Sequence, residues 1–181
     1  RRLVPAAGDV ICGSKPKRAA EVVRASMQRV EGDRVGLLIH RDKIRPLCGD
    51  VDDGGQAGGG GLLHDDITSR LAMISHHHGA LARGSNAWLA AGLSDLVVIG
   101  SPNVAPAAVR LHLLLTGQVE AAQQADGGWT DHQVLATAPD GRTTSNRVRA
   151  YADPAWQASR RQLVIAAIRQ ATGRARHTLP E

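Results

Sequence analysis

Arg34-Val35-Gly36-Leu37-Leu38-Ile39-His40 is the stretch that decides the fold. Between its charged ends runs an apolar segment of strand length with no polar residue alternating into it. A strand with one wet face alternates; one without alternation has to be covered on both faces, as a central parallel strand is. Upstream, Lys15 to Val30 read as a helix, because Ala19, Val22, Val23, Met27 and Val30 recur at three- and four-residue steps. Downstream, Arg70 to Ser75 and Asp95 to Gly100 read as further strands, the second closed by Gly100-Ser101-Pro102. Asp9 to Gly13 read as a short strand, His64 to Ser69 as a helical turn and Asn86 to Ala91 as a short helix. Ala105 to Thr116 form a helix carrying Val109, Leu111, Leu113, Leu114 and Leu115, stopped by Gly117. Helices alternating with buried strands specify an α/β domain with a mostly parallel sheet flanked by helices.

The pattern changes after this. Trp129 to Ala138 and Thr143 to Tyr151 flank Pro139-Asp140-Gly141-Arg142, and an Asp-Gly pair between two such arms signals a β-hairpin, inserted at 129–151. On its second arm Arg147, Arg149 and Tyr151 share one face. Asp153 and Pro154 are suited to be N-cap and first residue of the last helix. Leu163, Val164, Ala167, Ile168 and Ala171 make that helix's apolar stripe, and Gly173 is expected to stop it. Residues 48–61, acidic and rich in glycine, read as a flexible loop. No Lys-Ser or Lys-Thr pair follows these glycines, so they are not a phosphate-cradling loop of the Walker type.

A chain of 181 residues can bury about 70% of its unfolded surface in one domain. Phe is absent, and Trp88, Trp129, Trp156 and Tyr151 are the only aromatics. That argues against a stacking platform for unpaired bases. The balance of 22 Lys and Arg against 17 Asp and Glu permits contact with polyanions without demanding it. Cys12 and Cys48 are too few for a disulfide scaffold and have no metal-type spacing, which points to reduced thiols in a cytoplasmic protein. No apolar run approaches the roughly 20 residues of a membrane span. The opening Arg1-Arg2-Leu3-Val4-Pro5, without an initiator Met, suggests a piece of a longer chain.

Two segments carry residues suited to chemistry. Gln170-Ala171-Thr172-Gly173-Arg174-Ala175-Arg176 places two guanidinium groups just beyond the expected helix stop, with an amide one turn behind. Guanidinium forks match phosphate oxygens and neutralise charge that grows on a transferring phosphoryl group. The bland alternative is a solvated helix end whose cations complement the macrodipole. Gly79-Ala80-Leu81-Ala82-Arg83-Gly84-Ser85-Asn86 follows an expected strand, where parallel sheets bind their ligands, and its glycines allow backbone amides to approach a phosphate.

Taken in order, these motifs resemble the carboxyl-terminal RecA-like lobe of superfamily-two helicases, especially the helicase-like proteins of plasmids and phages of high-GC bacteria. The resemblance rests on His77-His78-Gly79-Ala80 with Arg83-Gly84-Ser85-Asn86, on Leu96-Val97-Val98-Ile99-Gly100-Ser101-Pro102, and on the closing Gln170 to Arg176 segment. It spans roughly residues 20 to 177 and implies one RecA-like lobe over 1–181. By the family's roles, Gln170, Arg174 and Arg176 act at the phosphates of ATP with Mg2+, with Arg176 favoured as the arginine finger. Gly173, Arg83 and Gly84 would bind the nucleotide. Ser85 and Asn86 would contact nucleic acid, together with Arg147 and Arg149, and DNA is the expected polymer, held through its phosphates. The final arginine stands one residue earlier than in the commonest family spacing. Walker A and Asp-Glu-x-His or Asp-Glu-x-Asp sequences are missing, so ATP would be shared with a separate amino-terminal lobe and the chain would not hydrolyse it alone.

Two other classes match parts of the sequence. His64-Asp65-Asp66 and His76-His77-His78 supply ligand types for a metal-dependent phosphohydrolase. Adjacent strand residues face opposite ways, however, so at most His76 and His78 converge, and no metal site is expected. A non-catalytic α/β module binding nucleic acid or protein through Arg147, Arg149 and the terminal arginines is the other alternative.

Overall fold

The computed structural model describes residues 15–79, 87–124, 126–137, 141 and 143–176. They form a mixed α/β protein with a three-stranded parallel sheet flanked by helices and an antiparallel hairpin. Among the described residues two compact units are distinguished, one of 15–102 with 168–176 and one of 103–167.

The sheet belongs to the first unit. Helix α1 (Pro16–Met27) leads to β1 (Val35–Ile39), α2 (Arg41–Cys48), α3 (Asp65–Thr68), β2 (Leu71–His76), α4 (Ala87–Ala90) and β3 (Asp95–Val98). Strand order is β2-β1-β3, all parallel, so the continuous apolar run is the central strand. All five of its residues are buried. Gly36 is part of that packing. A Cβ there would stand 2.5 Å from the Trp88 ring and 2.7 Å from Leu93, so the missing side chain is what lets α4 lie against the strand. Met73, Trp88 and Leu93 form the core cluster on that side.

Arg70 fastens α1 to the sheet. Its guanidinium donates to the carbonyls of Val30 and Gly32 at 2.6 Å each, just past the helix end, where carbonyls lack helical partners. Arg34 does the same for the end of α4, donating from Nε to the Ala91 carbonyl at 2.9 Å.

Helix α2 had no clear signal in the sequence, because Pro46 sits inside it and its apolar positions are few. Leu47 and Cys48 nevertheless bury completely. Burial pushes the Cys48 thiol up to about 11, so it stays protonated.

The glycine-rich stretch, read above as a flexible loop, carries a specific set of hydrogen bonds. Val51 bridges Ala57, Gln56 N–H donates to Asp52 Oδ1 at 2.7 Å, and Gly58 N–H donates to the Asp50 carbonyl at 2.7 Å. The turn then meets β2. Ile74 N–H donates to the Gly55 carbonyl at 2.8 Å, and the Gln56 amide donates to the Ala72 carbonyl. Gly55 has φ +85°, and a Cβ on it would lie 2.9 Å from the Ile74 carbonyl oxygen, so glycine is required there.

The second unit comprises α5 (Pro106–Leu115), α6 (Val119–Gln123), the hairpin β4 (Trp129–Thr137) and β5 (Thr143–Tyr151), and the first turns of α7 (Pro154–Arg176). Hairpin register runs from Trp129 opposite Tyr151 to Thr137 opposite Thr143. Val109, Leu113, Ala122, Tyr151 and Trp156 are its core. On α5 only Val109 and Leu113, four residues apart on one face, are buried among its apolar residues; Leu111, Leu114 and Leu115 are exposed. Asp153 caps α7 as expected, accepting from the Trp156 amide at 2.9 Å. The Trp156 indole N–H donates to the Ala121 carbonyl at 2.8 Å, and buried Ser159 meets His112 Nδ1 at 2.8 Å. The stripe read on α7 is correct in phase but only half-buried; full burial falls on Trp156 and Ser159.

One expectation is corrected. Gly173 does not stop α7, which continues to Arg176. A glycine stop needs the left-handed conformation, and Gly173 is not among the positive-φ glycines. Alanines at 166, 167, 171 and 175 favour continuation. The short strand expected at Asp9 to Gly13 lies outside the described residues.

These two glycines give opposite expected outcomes in urea denaturation. Gly55→Ala should destabilise by about 1–3 kcal/mol, the cost of a strained backbone. Gly173→Ala meets no atom within 4 Å and should stabilise by about 0.5–1 kcal/mol.

Candidate functional site

In a parallel sheet the connections leaving the carboxyl ends diverge where the strand order reverses, and a crevice opens there. With order β2-β1-β3, the carboxyl ends of all three strands meet at one edge of the first unit. The residues they present are His40 after β1, His76 to Gly79 at and after β2, and Ile99 and Gly100 after β3.

These ends are tied together. The Ile99 amide donates to the Leu38 carbonyl at 2.8 Å, extending β3 along β1. His77 Nε2 lies 3.1 Å from the Ile99 carbonyl. A carbonyl only accepts, so His77 carries its proton on Nε2 and donates it. The His77 ring meets the His40 ring edge-on at 5.1 Å between centroids. Gly100, with φ +79°, leaves room for His40: a Cβ there would come within 2.7 Å of His40 Nε2.

His40, Arg41, Asp42, His76, His77 and His78 line a cavity of about 500 Å³ at this edge. All three consecutive histidines are among its lining residues. The strand ends at His76, and His77 and His78 lie in a turn, where the alternation of strand faces no longer applies. Asp42 is the one acid among the described lining residues. Its carboxylate is held below the usual range first by the hydrogen bond from Lys43, whose Nζ lies 2.5 Å away. Burial pulls the pKa of His77 down, outweighing the hydrogen bond to Ile99. Among the described residues, no group of three His, Cys, Asp or Glu side chains is arranged to hold a metal ion.

The residues singled out from the sequence fall as follows. Arg83, Gly84, Ser85 and Asn86 lie outside the described residues, in the chain between β2 and α4. Gln170 is exposed on α7, and Gly173, Arg174 and Arg176 continue the same helix; the side chains of Arg174 and Arg176 lie outside the described residues. Gln170 and Arg174 therefore occupy helix positions one turn apart instead of flanking a stop. Arg147 and Arg149 lie on β5 opposite Gln133 and Asp131, and the Arg147 side chain lies outside the described residues. Arg149 Nε stands 3.5 Å from Asp131 Oδ1, an exposed pair worth little in stability and easily exchanged. His64, Asp65 and Asp66 open α3 and are not part of the histidine cavity.

Sequence reasoning missed His40, Arg41 and Asp42 as site residues. The signal was available, since whatever follows a central parallel strand stands at the sheet's carboxyl edge.

His77 makes the edge sensitive to acid. Its depressed pKa means that the unfolded chain takes up the proton more readily than the folded one. The stability it contributes is present above the ordinary imidazole pKa near 6.5 and falls away as pH drops below it. In thermal melts across that range, His77→Gln, whose amide can still donate to Ile99, should flatten the loss of stability on acidification. An unchanged acid slope would show that other groups set it.

Comparison with protein-family models, curated proteins and solved structures returned no match, so the functional assignment rests on the residues themselves.

Proposed function

We propose that this chain is the nucleotide- and nucleic-acid-binding carboxyl-terminal lobe of an ATP-dependent helicase or translocase, working with an amino-terminal lobe that supplies the Walker elements. The observation that carries the reading is the parallel β2-β1-β3 sheet, with its ligand-accepting edge at the point where the chain leaves β2 for Gly79 to Asn86. That edge is where such sheets take phosphate-bearing ligands. Among the described lining residues Arg41 is exposed, and the one acid, Asp42, is matched by Lys43, which suits an anion.

In this reading Arg174 or Arg176 neutralises charge on the phosphoryl group being transferred, with Gln170 one turn behind Arg174. The family resemblance favours Arg176 as the finger; on the continuous helix Arg174 stands four residues after Gln170. Magnesium would lower the charge on the triphosphate. In this reading it is shared with the other lobe. Gly84, Ser85 and Asn86 are assigned to the nucleic-acid backbone, DNA in the first instance, and Arg147 and Arg149 of the hairpin are assigned to phosphate contacts of their own unit.

Two measurements test this. In a polypeptide carrying this chain together with its ATPase lobe, Ala at whichever of Arg174 and Arg176 is the finger should lower ATP turnover by about 10³-fold, with nucleotide affinity changed far less. Unaltered turnover in both variants rejects the assignment. Oligonucleotide affinity should fall steeply with salt, and Arg147→Ala or Arg149→Ala should each reduce the slope of log K against log salt by about one.

A further inference from the structure

Helix α5 has a property that its own unit does not use: it is apolar on two opposite faces. Val109 and Leu113 fill the core of the second unit. At about 3.6 residues per turn, Leu111 points directly away from that pair, with Ala107, Ala108, Leu114 and Leu115 beside it. All five are exposed, Leu111, Leu114 and Leu115 by 56%, 47% and 78%. We propose that this face packs against the same face of a second copy of the chain, antiparallel about a two-fold axis at Leu111. The inference concerns the second unit alone and does not rest on the helicase reading.

A surface helix of a lone globular unit carries one apolar stripe toward its core and a polar face toward water. On α5 the polar residues do not interrupt the second stripe. Arg110 is turned to its own unit, its guanidinium 5.7 Å over the Trp156 ring and donating to the Gln124 carbonyl at 3.1 Å. His112 meets Ser159 at 2.8 Å. The five outward residues include no charge. From their exposure they offer on the order of 400 Å² per copy, within the size of patches that mark contact sites.

The order of side-chain sizes names the occupant. Along the face run two alanines, then Leu111, then two leucines, with Leu111 midway between the pairs. Turned end for end, the same face presents leucine where the first presents alanine. Leu114 and Leu115 of each copy then fill the low ground over Ala107 and Ala108 of the other, and the two Leu111 side chains meet on the axis. Large against small is the pattern that interdigitates, and the alanines let the helix axes approach to about 8–10 Å. Complementarity to itself under a half-turn is what an isologous contact requires. The antiparallel arrangement also sets the positive end of one helix dipole beside the negative end of the other.

On the order of 400 Å² from each copy is about half of the roughly 800 Å² per partner that a standard stable interface buries. The pairing is therefore weak and reversible, with a dissociation constant between about 10 μM and 1 mM.

The test is sedimentation equilibrium of the full chain from about 5 μM to about 1 mM, with circular dichroism to check that each variant is folded. The unaltered chain should pass from monomer toward dimer over this range. Leu111→Glu, at an exposed position that leaves the core untouched, should weaken association about 100-fold or more, because both copies lose an apolar contact and two carboxylates meet on the axis. Ala108→Lys and Leu115→Glu should each weaken it. Combined in one chain they should recover about tenfold over either alone, since the antiparallel arrangement sets each ammonium opposite a carboxylate. A chain that stays monomeric throughout overturns the inference. So does association that Leu111→Glu leaves unchanged, or a double variant that pairs no more tightly than its singles. If the chain does not self-associate and Leu111→Glu instead releases it from its ATPase lobe, the face belongs to that lobe and the inference is equally overturned. Arginine-dependent ATP turnover bears on the helicase reading alone, so the two readings fail separately.

Discussion

The requirement that β1 be paired on both edges and covered on both faces governs the first unit. A buried strand with an unpaired amide row would leave polar groups unsatisfied at a cost of about 1–3 kcal/mol each. β2 and β3 meet that requirement in parallel on either side, and α4 closes one face over Gly36. Parallel pairing in turn forces every connection to cross the sheet. As a result, the chain turns around at the same edge after each strand. The histidine cavity is a by-product of that geometry, lined by two short segments, His40 to Asp42 and His76 to His78, that lie far apart in sequence.

What holds the edge in shape is a chain of neutral contacts. Leu38, Ile99, His77 and His40 connect the three strand ends through one backbone hydrogen bond, one imidazole hydrogen bond and one ring contact. None of these depends on a charge being present. The charged residues lie at the cavity's margin on α2, where Asp42 and Lys43 answer each other and Arg41 is exposed. Scaffold and electrostatics are thus separable.

Much of the fold was legible because its signals are local and strong. The unalternated run at Val35–Ile39, the Asp-Gly pair between the hairpin arms and the Asp153-Pro154 start of α7 each admit one reading, and the structure agrees with all three. Helix α2 was not legible, since a proline in its interior and a charged beginning mask a segment that buries only its last apolar pair completely. Gly173 misled for the opposite reason: a glycine between arginine and threonine matches a stop signal, but the surrounding alanines keep the helix going. Of the cavity, the triple histidine was visible and its geometry was not. Whether neighbouring side chains diverge depends on where a strand ends, and composition does not mark that residue. His40 was hidden in plain view, as the last letter of a strand read for its hydrophobicity.

The acidic, glycine-filled turn has a consequence for how the molecule behaves in a crowded solution. β2 is an outer strand, and its far side would otherwise offer a ladder of free donors and acceptors to any extended peptide. Gly55 and Gln56 occupy rungs of that ladder, at Ile74 and Ala72. A segment that composition would class as filler is thereby a guard against self-association. Its glycines allow the close approach, as at Gly55, where a Cβ would lie 2.9 Å from the Ile74 carbonyl oxygen.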